Sequence, residues 1–202
     1  MAEISCIDPV NQKSKNVEVL LMPQKGYIEV NYNICTGCRL CEIACSFAKE
    51  SVVNPAASRI KVYQFWPGPI DVPALCRNCS DHPCVAACPP KANALSVNEE
   101  TGTVKVDVEK CLGIKCSACA RACPHEVAVS FHPLTTKAMI CDLCQGDPEC
   151  VKVCAPGCLT FMPGSAFDGK HYAVFPPRVI AASMASQFYP ATGVVSHRKE
   201  DK

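Results

Sequence analysis

Sixteen of the eighteen cysteines in this 202-residue chain fall into four groups of four, and that repeat constrains the fold more than any other feature. Group one is Cys35, Cys38, Cys41 and Cys45, spaced C-x2-C-x2-C-x3-C. Group two is Cys76, Cys79, Cys84 and Cys88, spaced C-x2-C-x4-C-x3-C. Group three is Cys111, Cys116, Cys119 and Cys123, spaced C-x4-C-x2-C-x3-C. Group four is Cys141, Cys144, Cys150 and Cys154, spaced C-x2-C-x5-C-x3-C. An internal repeat of ligand quartets, rather than a hydrophobic period, organises the chain.

What the thiols do depends on where they reside. A short secreted chain this rich in cysteine would read as a disulfide scaffold. The opening residues Met1-Ala2-Glu3-Ile4 show no basic n-region leading into an apolar h-region, and there is no Arg-Arg pair for twin-arginine export. The most apolar late stretch, Val179 to Ala185, is too short to span a bilayer. The expected compartment is the cytoplasm, where thiols stay reduced and clustered cysteines read as metal ligands. Lys+Arg (20) balances Asp+Glu (19), so no basic stripe argues for nucleic acid. With one Trp and seven Phe the core is thin, and metal–thiolate bonds are expected to supply part of the stability.

A cubane [4Fe–4S] cluster needs four thiolates converging on its iron corners. A tight C-x2-C-x2-C loop supplies three of them, and in two-cluster ferredoxins the last Cys of each run binds the other cluster. Group one matches that run, with Ser46 where proline usually follows the fourth Cys; groups two and three have Pro89 and Pro124 there, and group four has Ala155-Pro156. Four-thiolate zinc is the competing reading, but zinc sites pair two short knuckles and need neither the triple nor the trailing C-x3-C-P. The stretched groups three and four leave room for zinc or another metal at one site. Cys6 and Cys158 read as buried or free thiols. His82 and His125, beside groups two and three, read as polar surface residues, or else as donors to cluster sulfur. Trp66 reads as core packing.

Between the groups lie strand-like pieces at 26–30 and 59–65, a hairpin of 94–97 with 103–108 around a Gly-containing turn, and a second pair at 127–131 and 137–140. A short helix is expected with each group, as at 39–45, and another at 181–187. Residues 1–25 and 164–202 lie outside the repeat. The late segment is too apolar for a solvated tail and too short for its own core, so it is expected to dock on a partner or on the chain's own cluster domain, preferably as an arm over a neighbouring subunit, with packing on residues 1–25 as the alternative. There is no phosphate loop, nucleophile elbow or hydrolase-type metal set, and no catalytic residue is assigned.

The chain resembles the polyferredoxin-type iron–sulfur subunits that accompany molybdenum and tungsten oxidoreductases, formate dehydrogenases, hydrogenases and carbon-monoxide dehydrogenases. The resemblance runs from about Tyr27 to Phe161 and rests on Cys35-Thr36-Gly37-Cys38-Arg39-Leu40-Cys41, Asn54-Pro55-Ala56-Ala57-Ser58-Arg59-Ile60, Cys76-Arg77-Asn78-Cys79, Pro83-Cys84-Val85-Ala86-Ala87-Cys88-Pro89 and Cys141-Asp142-Leu143-Cys144-Gln145-Gly146-Asp147-Pro148. The second and last phrases look closest to companions of tungsten aldehyde oxidoreductase-family enzymes, a group that includes tungsten-type benzoyl-CoA reductases, and companions of carbon-monoxide dehydrogenase share them. Group three departs from the family: Leu112-Gly113-Ile114-Lys115 makes its first gap four residues instead of two.

The resemblance implies an α+β fold: two ferredoxin-like halves of small β-hairpins and short helices within 26–163, flanked by the extension 1–25 and the arm 164–202. It implies four [4Fe–4S] clusters in a row with crossed ligation. Set A is Cys35, Cys38, Cys41 and Cys154; set B is Cys76, Cys79, Cys84 and Cys123. Set C is Cys111, Cys116, Cys119 and Cys88; set D is Cys141, Cys144, Cys150 and Cys45. The implied role is a non-catalytic electron-transfer subunit of a larger tungsten- or molybdenum-pterin enzyme, with an external carrier such as ferredoxin as a further partner. A free polyferredoxin and a zinc-binding scaffold are the alternatives.

Overall fold

The computed structural model describes residues 25–66, 68–164, 175–190 and 196–197, so Cys6, His171 and most of both expected extensions lie outside the described residues. The first strand, β1 (Gly26–Val30), alternates as the sequence predicts, with Ile28 and Val30 fully buried. Its partner is β8 (Leu159–Pro163), antiparallel from Gly26 opposite Pro163 to Val30 opposite Leu159. The two ends of the cysteine repeat are thereby fastened together.

Helix α1 (Leu40–Glu50) begins inside group one and carries both Cys41 and Cys45. Its inward face buries Cys41, Glu42, Cys45 and Ser46. Glu42 is fully buried, yet its carboxylate accepts from Arg39 Nε at 2.8 Å and from the backbone N–H of Val62 at 2.7 Å. It therefore clamps the helix to strand β2 (Lys61–Trp66). The helix also explains Ser46. Its hydroxyl donates to Ile43 O and accepts from Asn54 N, whereas a proline in this interior position would remove a helical hydrogen bond and clash with the preceding turn.

Strand β2 turns into β3 (Ile70–Ala74), which the sequence reading did not anticipate, and β9 (Ser196–His197) pairs on the other side of β2. Pro73 sits on the sheet edge, where its missing N–H costs no ladder bond. Trp66 corrects the packing expectation: it is 61% exposed.

The inner half is built from smaller pieces. The expected hairpin is β4 (Leu95–Val97) with β5 (Val104–Val106), and the second pair shrinks to β6 (Ser130–Phe131) with β7 (Ala138–Met139). Helices α2 (Pro83–Ala86), α3 (Ala118–Ala122) and α4 (Glu149–Lys152) each carry the third cysteine of their group and end before the fourth. Pro89 and Pro124 follow one residue after those fourth cysteines, beyond the helix ends.

Two cores match the two halves. One gathers Ile28, Val30, Ile60, Val62, Leu75, Leu143 and Leu159; the other gathers Leu95, Val104, Ala128, Val129, Ala138 and Ile140. A third lies under helix α5 (Pro177–Phe188), whose Ala181, Met184 and Ala185 pack on Phe65, Ile70 and Val72. The helix expected at 181–187 is thus longer and lies on this chain's own β2–β3 hairpin.

Candidate metal-cluster sites

Seventeen cysteines fall within the described residues, and all are free thiols. The loops that carry them share one backbone device. Gly37, Asn78, Gly113, Ser117, Leu143 and Cys144 all adopt positive φ, as do Arg39 and His82 at the helix starts. Such left-handed residues curl the chain tightly enough to aim successive side chains at one centre. Gly37 is obligatory: a Cβ there would stand 2.4 Å from the Asp71 carboxylate.

In set A, Cys35 caps a 3-10 turn (Tyr32–Ile34) after β1, Cys38 is exposed, and Cys41 is buried on α1. Burial pushes the Cys41 thiol up to about 12, with Glu42, Cys35 and Cys38 adding negative charge nearby. Cys154 packs against the same core as Cys35. Cys158 joins them. It is 3% exposed and hydrogen-bonds Cys35, which lowers the Cys35 thiol and raises its own; Cys154 lies within its electrostatic reach. The reading of Cys158 as a buried, free thiol holds, but the sequence did not reveal its place between Cys35 and Cys154. The β1–β8 ladder creates that place: Asn31 N donates to Cys158 O at 2.8 Å.

In set D, residues 143–146 all have positive φ, and the Asp142 carboxylate accepts from Cys144 N at 3.2 Å. Burial raises the Cys141, Cys144 and Cys150 thiols, and Cys45 of α1 is a neighbouring charge for each of the three. Lys49 of α1, ion-paired to Asp142 at 2.7 Å, fastens the helix to this loop.

In set B, burial pushes Cys76 up to about 12, and the charges acting on it are Cys84, Cys79 and Cys123. Cys123 acts on Cys84 as well. In set C, Cys88, Cys111, Cys116 and Cys119 line one cavity, closed on one side by Leu112 and Gly113. The extra residues of group three do not displace Cys111. Gly113 N donates to Cys111 Sγ at 3.4 Å, and Gly113 packs so closely on Thr136 that a Cβ would meet its carbonyl at 2.8 Å.

Backbone N–H groups aim at sulfur in other sets too: Arg59 N to Cys45 (3.3 Å), Asn78 N to Cys76 (3.4 Å) and Ala94 N to Cys88 (3.4 Å). Bonds of this kind stabilise thiolate charge and tune cluster potentials. All-thiolate, N–H-supported donor sets suit iron–sulfur clusters. Among the described residues no three His, Cys, Asp or Glu side chains are grouped to hold a single metal ion.

Thiols of different sets also act on one another electrostatically. Cys41 acts on Cys150, joining A to D; Cys76 acts on Cys141, joining D to B; Cys84 acts on Cys119, joining B to C. Of the histidines, His82 bonds Gly102 O at 2.8 Å, and burial with Arg77 nearby holds His125 down at about 4. Sequence reasoning missed the buried ions around the sites. Arg77, inside the group-two loop, donates to Ile28 O at 3.0 Å and to the Tyr32 hydroxyl, tying the inner half to the outer. Asp71 is buried against Gly37 and accepts from Gln64 at 3.0 Å.

Residues 70–163 match the family model described as a 4Fe-4S dicluster domain. The polyferredoxin-like subunit of the aliphatic sulfonate oxidoreductase of Pyrococcus furiosus is 47% identical over 131 residues, which is 65% of this chain and 72% of that protein. A polysulfide reductase subunit of Wolinella succinogenes is 34% identical over 144 residues, covering 64% of this chain and 71% of that one. The thiosulfate reductase electron transfer subunit of Salmonella typhi is 32% identical over 148 residues, covering 63% and 70%. One protein of the active-site complex of benzoyl coenzyme A reductase with 1,5-dienoyl-CoA aligns over 81% of this chain and 90% of its own length at 25% identity, with a TM-score of 0.39.

Proposed function

Because this protein belongs to the polyferredoxin-like 4Fe-4S electron-transfer subunits of oxidoreductases, we propose that it holds four [4Fe–4S] clusters, in sets A to D as given above, and relays electrons along them. The observation that carries this is the grouping of cysteines. Cys84, Cys79 and Cys123 of set B act on Cys76, Cys45 acts on the three group-four thiols of set D, and the set C thiols line one cavity. The electrostatic neighbours between sets support the order A, D, B, C. Sets A and C are then the two ends, and residues 26–163 are the four-cluster domain.

The clusters supply one-electron transfer when bound. The protein's part is to hold sixteen thiolates, exclude water and aim N–H donors at sulfur. Full ligation by cysteine leaves no iron corner for an organic substrate, so the chain itself is not the catalyst. Its partner is a larger catalytic subunit of an oxidoreductase, of the tungsten- or molybdenum-pterin kind by resemblance, with a smaller carrier at the other end of the relay. The compartment is cytoplasmic, and among the described residues no helix is long and apolar enough to cross a membrane.

The test is anaerobic purification with metal, sulfide and EPR analysis. Four cubanes give about 16 Fe and as much sulfide per chain. Less than three cubanes' worth of iron, or stoichiometric zinc in a colourless protein, refutes the four-cluster relay. Three cubanes and one zinc assign the exception to an odd-spaced group. Turnover of an organic substrate by the purified protein refutes the non-catalytic role.

A further inference from the structure

Of the inserted residues of group three, Leu112-Gly113-Ile114-Lys115, the first two line the set C cavity. Leu112 lines the set C cavity on its inner side, yet it is 47% exposed outside. Ile114 is 53% exposed, and its N–H donates to Thr136 O at 2.9 Å. That bond holds the loop beside the β6–β7 turn, where Leu134 is 84% exposed. Three large apolar side chains thus stand in water over one end of the relay.

The charges beside them are mostly positive. Segment 109–125 carries Lys110, Lys115 and Arg121 against Glu109, and Lys137 ends the β6–β7 turn, while Glu126 lines a separate pocket with Tyr32 and Arg77. Lys110 is paired with Asp107, and Lys137 donates to Cys111 O at 2.6 Å. Lys115 and Arg121 are exposed. Arg121 is held beside the loop by Ser117, whose hydroxyl accepts from its guanidinium at 2.6 Å. Glu50, which reaches His132 at the foot of the same turn, is ion-paired to Arg59. An apolar centre with a mainly cationic surround complements an acidic protein surface, and such complementarity steers encounter.

We propose that this face, built by the inserted loop, is the docking surface for a small acidic electron-carrier protein of the ferredoxin type, which exchanges one electron at a time with the cluster of set C. The proposal rests on the four-cluster relay above. The exchange balances within the pair: the carrier's reduced cluster loses one electron and the set C cluster gains it, or the reverse, with no bond made or broken.

The test uses the full chain, purified with its clusters and oxidised, mixed in a stopped-flow instrument with a pre-reduced acidic two-cluster ferredoxin. The variants are the pair Lys115→Glu with Arg121→Glu, and separately Ile114→Asp. Trp66→Asp, 61% exposed on β2, is the control. At low salt the double charge reversal should slow the bimolecular rate at least about tenfold and flatten its salt dependence. Ile114→Asp should slow it too. Reduction by a zwitterionic viologen and the cluster EPR spectra should not change, which shows that clusters and fold are intact. Unchanged ferredoxin rates in both variants overturn the proposal. So does slowing by Trp66→Asp alone, or a basic carrier protein that reacts faster than the acidic one. A wild-type chain that accepts electrons from the viologen but not from ferredoxin defeats the docking surface only. One that accepts them from neither defeats the relay itself.

Discussion

Groups one and four sit in a unit closed by a five-residue ladder, β1 on β8, and by an 11-residue helix that buries a clamped glutamate. Groups two and three sit in a unit whose paired strands are two or three residues long and whose two helices have four and five residues. The outer core contains Ile28, Val30 and Leu143 at 0% exposure, while the inner one relies heavily on alanine and valine. Under the proposed ligation each half holds eight thiolates, but only one has a substantial apolar core. The difference teaches where stability comes from. Apolar burial and a buried ion clamp frame the outer sites, whereas metal–thiolate bonds have to frame the inner ones.

Removing the clusters with an iron chelator should break the comparison most visibly. The inner hairpin 95–106 should lose nearly all amide protection in hydrogen exchange, while β1 and β8 keep a measurable part of theirs. Equal loss in both would mean that the outer core adds nothing of its own. Next in size, Leu143→Ala empties a fully buried position and should cost about 2–5 kcal/mol, read as a lower anaerobic melting temperature. Val104→Ala in the inner core removes fewer atoms and should cost less, about 1–2 kcal/mol. The reverse order would contradict the assignment of the main core to the outer half.

Arg77→Met tests the join between the halves. It deletes the bonds to Ile28 O and the Tyr32 hydroxyl and should cost about 1.5–3 kcal/mol, separating one thermal transition into two. A single sharp transition in the variant would show that the halves are coupled by other contacts. The smallest effect belongs to Lys152→Ala, which removes exposed ion pairs to Asp147 and Glu149 and should shift stability by less than about 1 kcal/mol.

The sequence made the ligands legible because cluster chemistry fixes spacing within a few residues of one another. It made β1, β2 and the β4–β5 hairpin legible because alternation and local turns are short-range signals. It did not disclose β3, since Pro73 and the Gly68-Pro69 turn argue against a strand unless that strand is known to lie at a sheet edge. Helix α5 starts earlier than expected because Pro177 occupies the first helical turn, where proline is tolerated. Glu42, Asp71 and Arg77 look like ordinary surface charges in sequence. Their burial depends on partners 20, 7 and 49 residues away. Cys158 meets Cys35 only through the register of β1 on β8, which no local pattern encodes.

That same ladder fixes a timetable for making the protein. A ribosome releases Gly26–Val30 long before Leu159–Pro163, so β1 waits as an unpaired edge until nearly the whole repeat has emerged. The inner hairpins close over short separations and can form while synthesis continues. Under the proposed ligation, Cys35, Cys38 and Cys41 wait equally long for Cys154, while sets B and C are complete in sequence by Cys123. Under that ligation the inner sets can be filled before the outer ones, which leaves the thiols of group one uncovered and open to oxidation for the longest time.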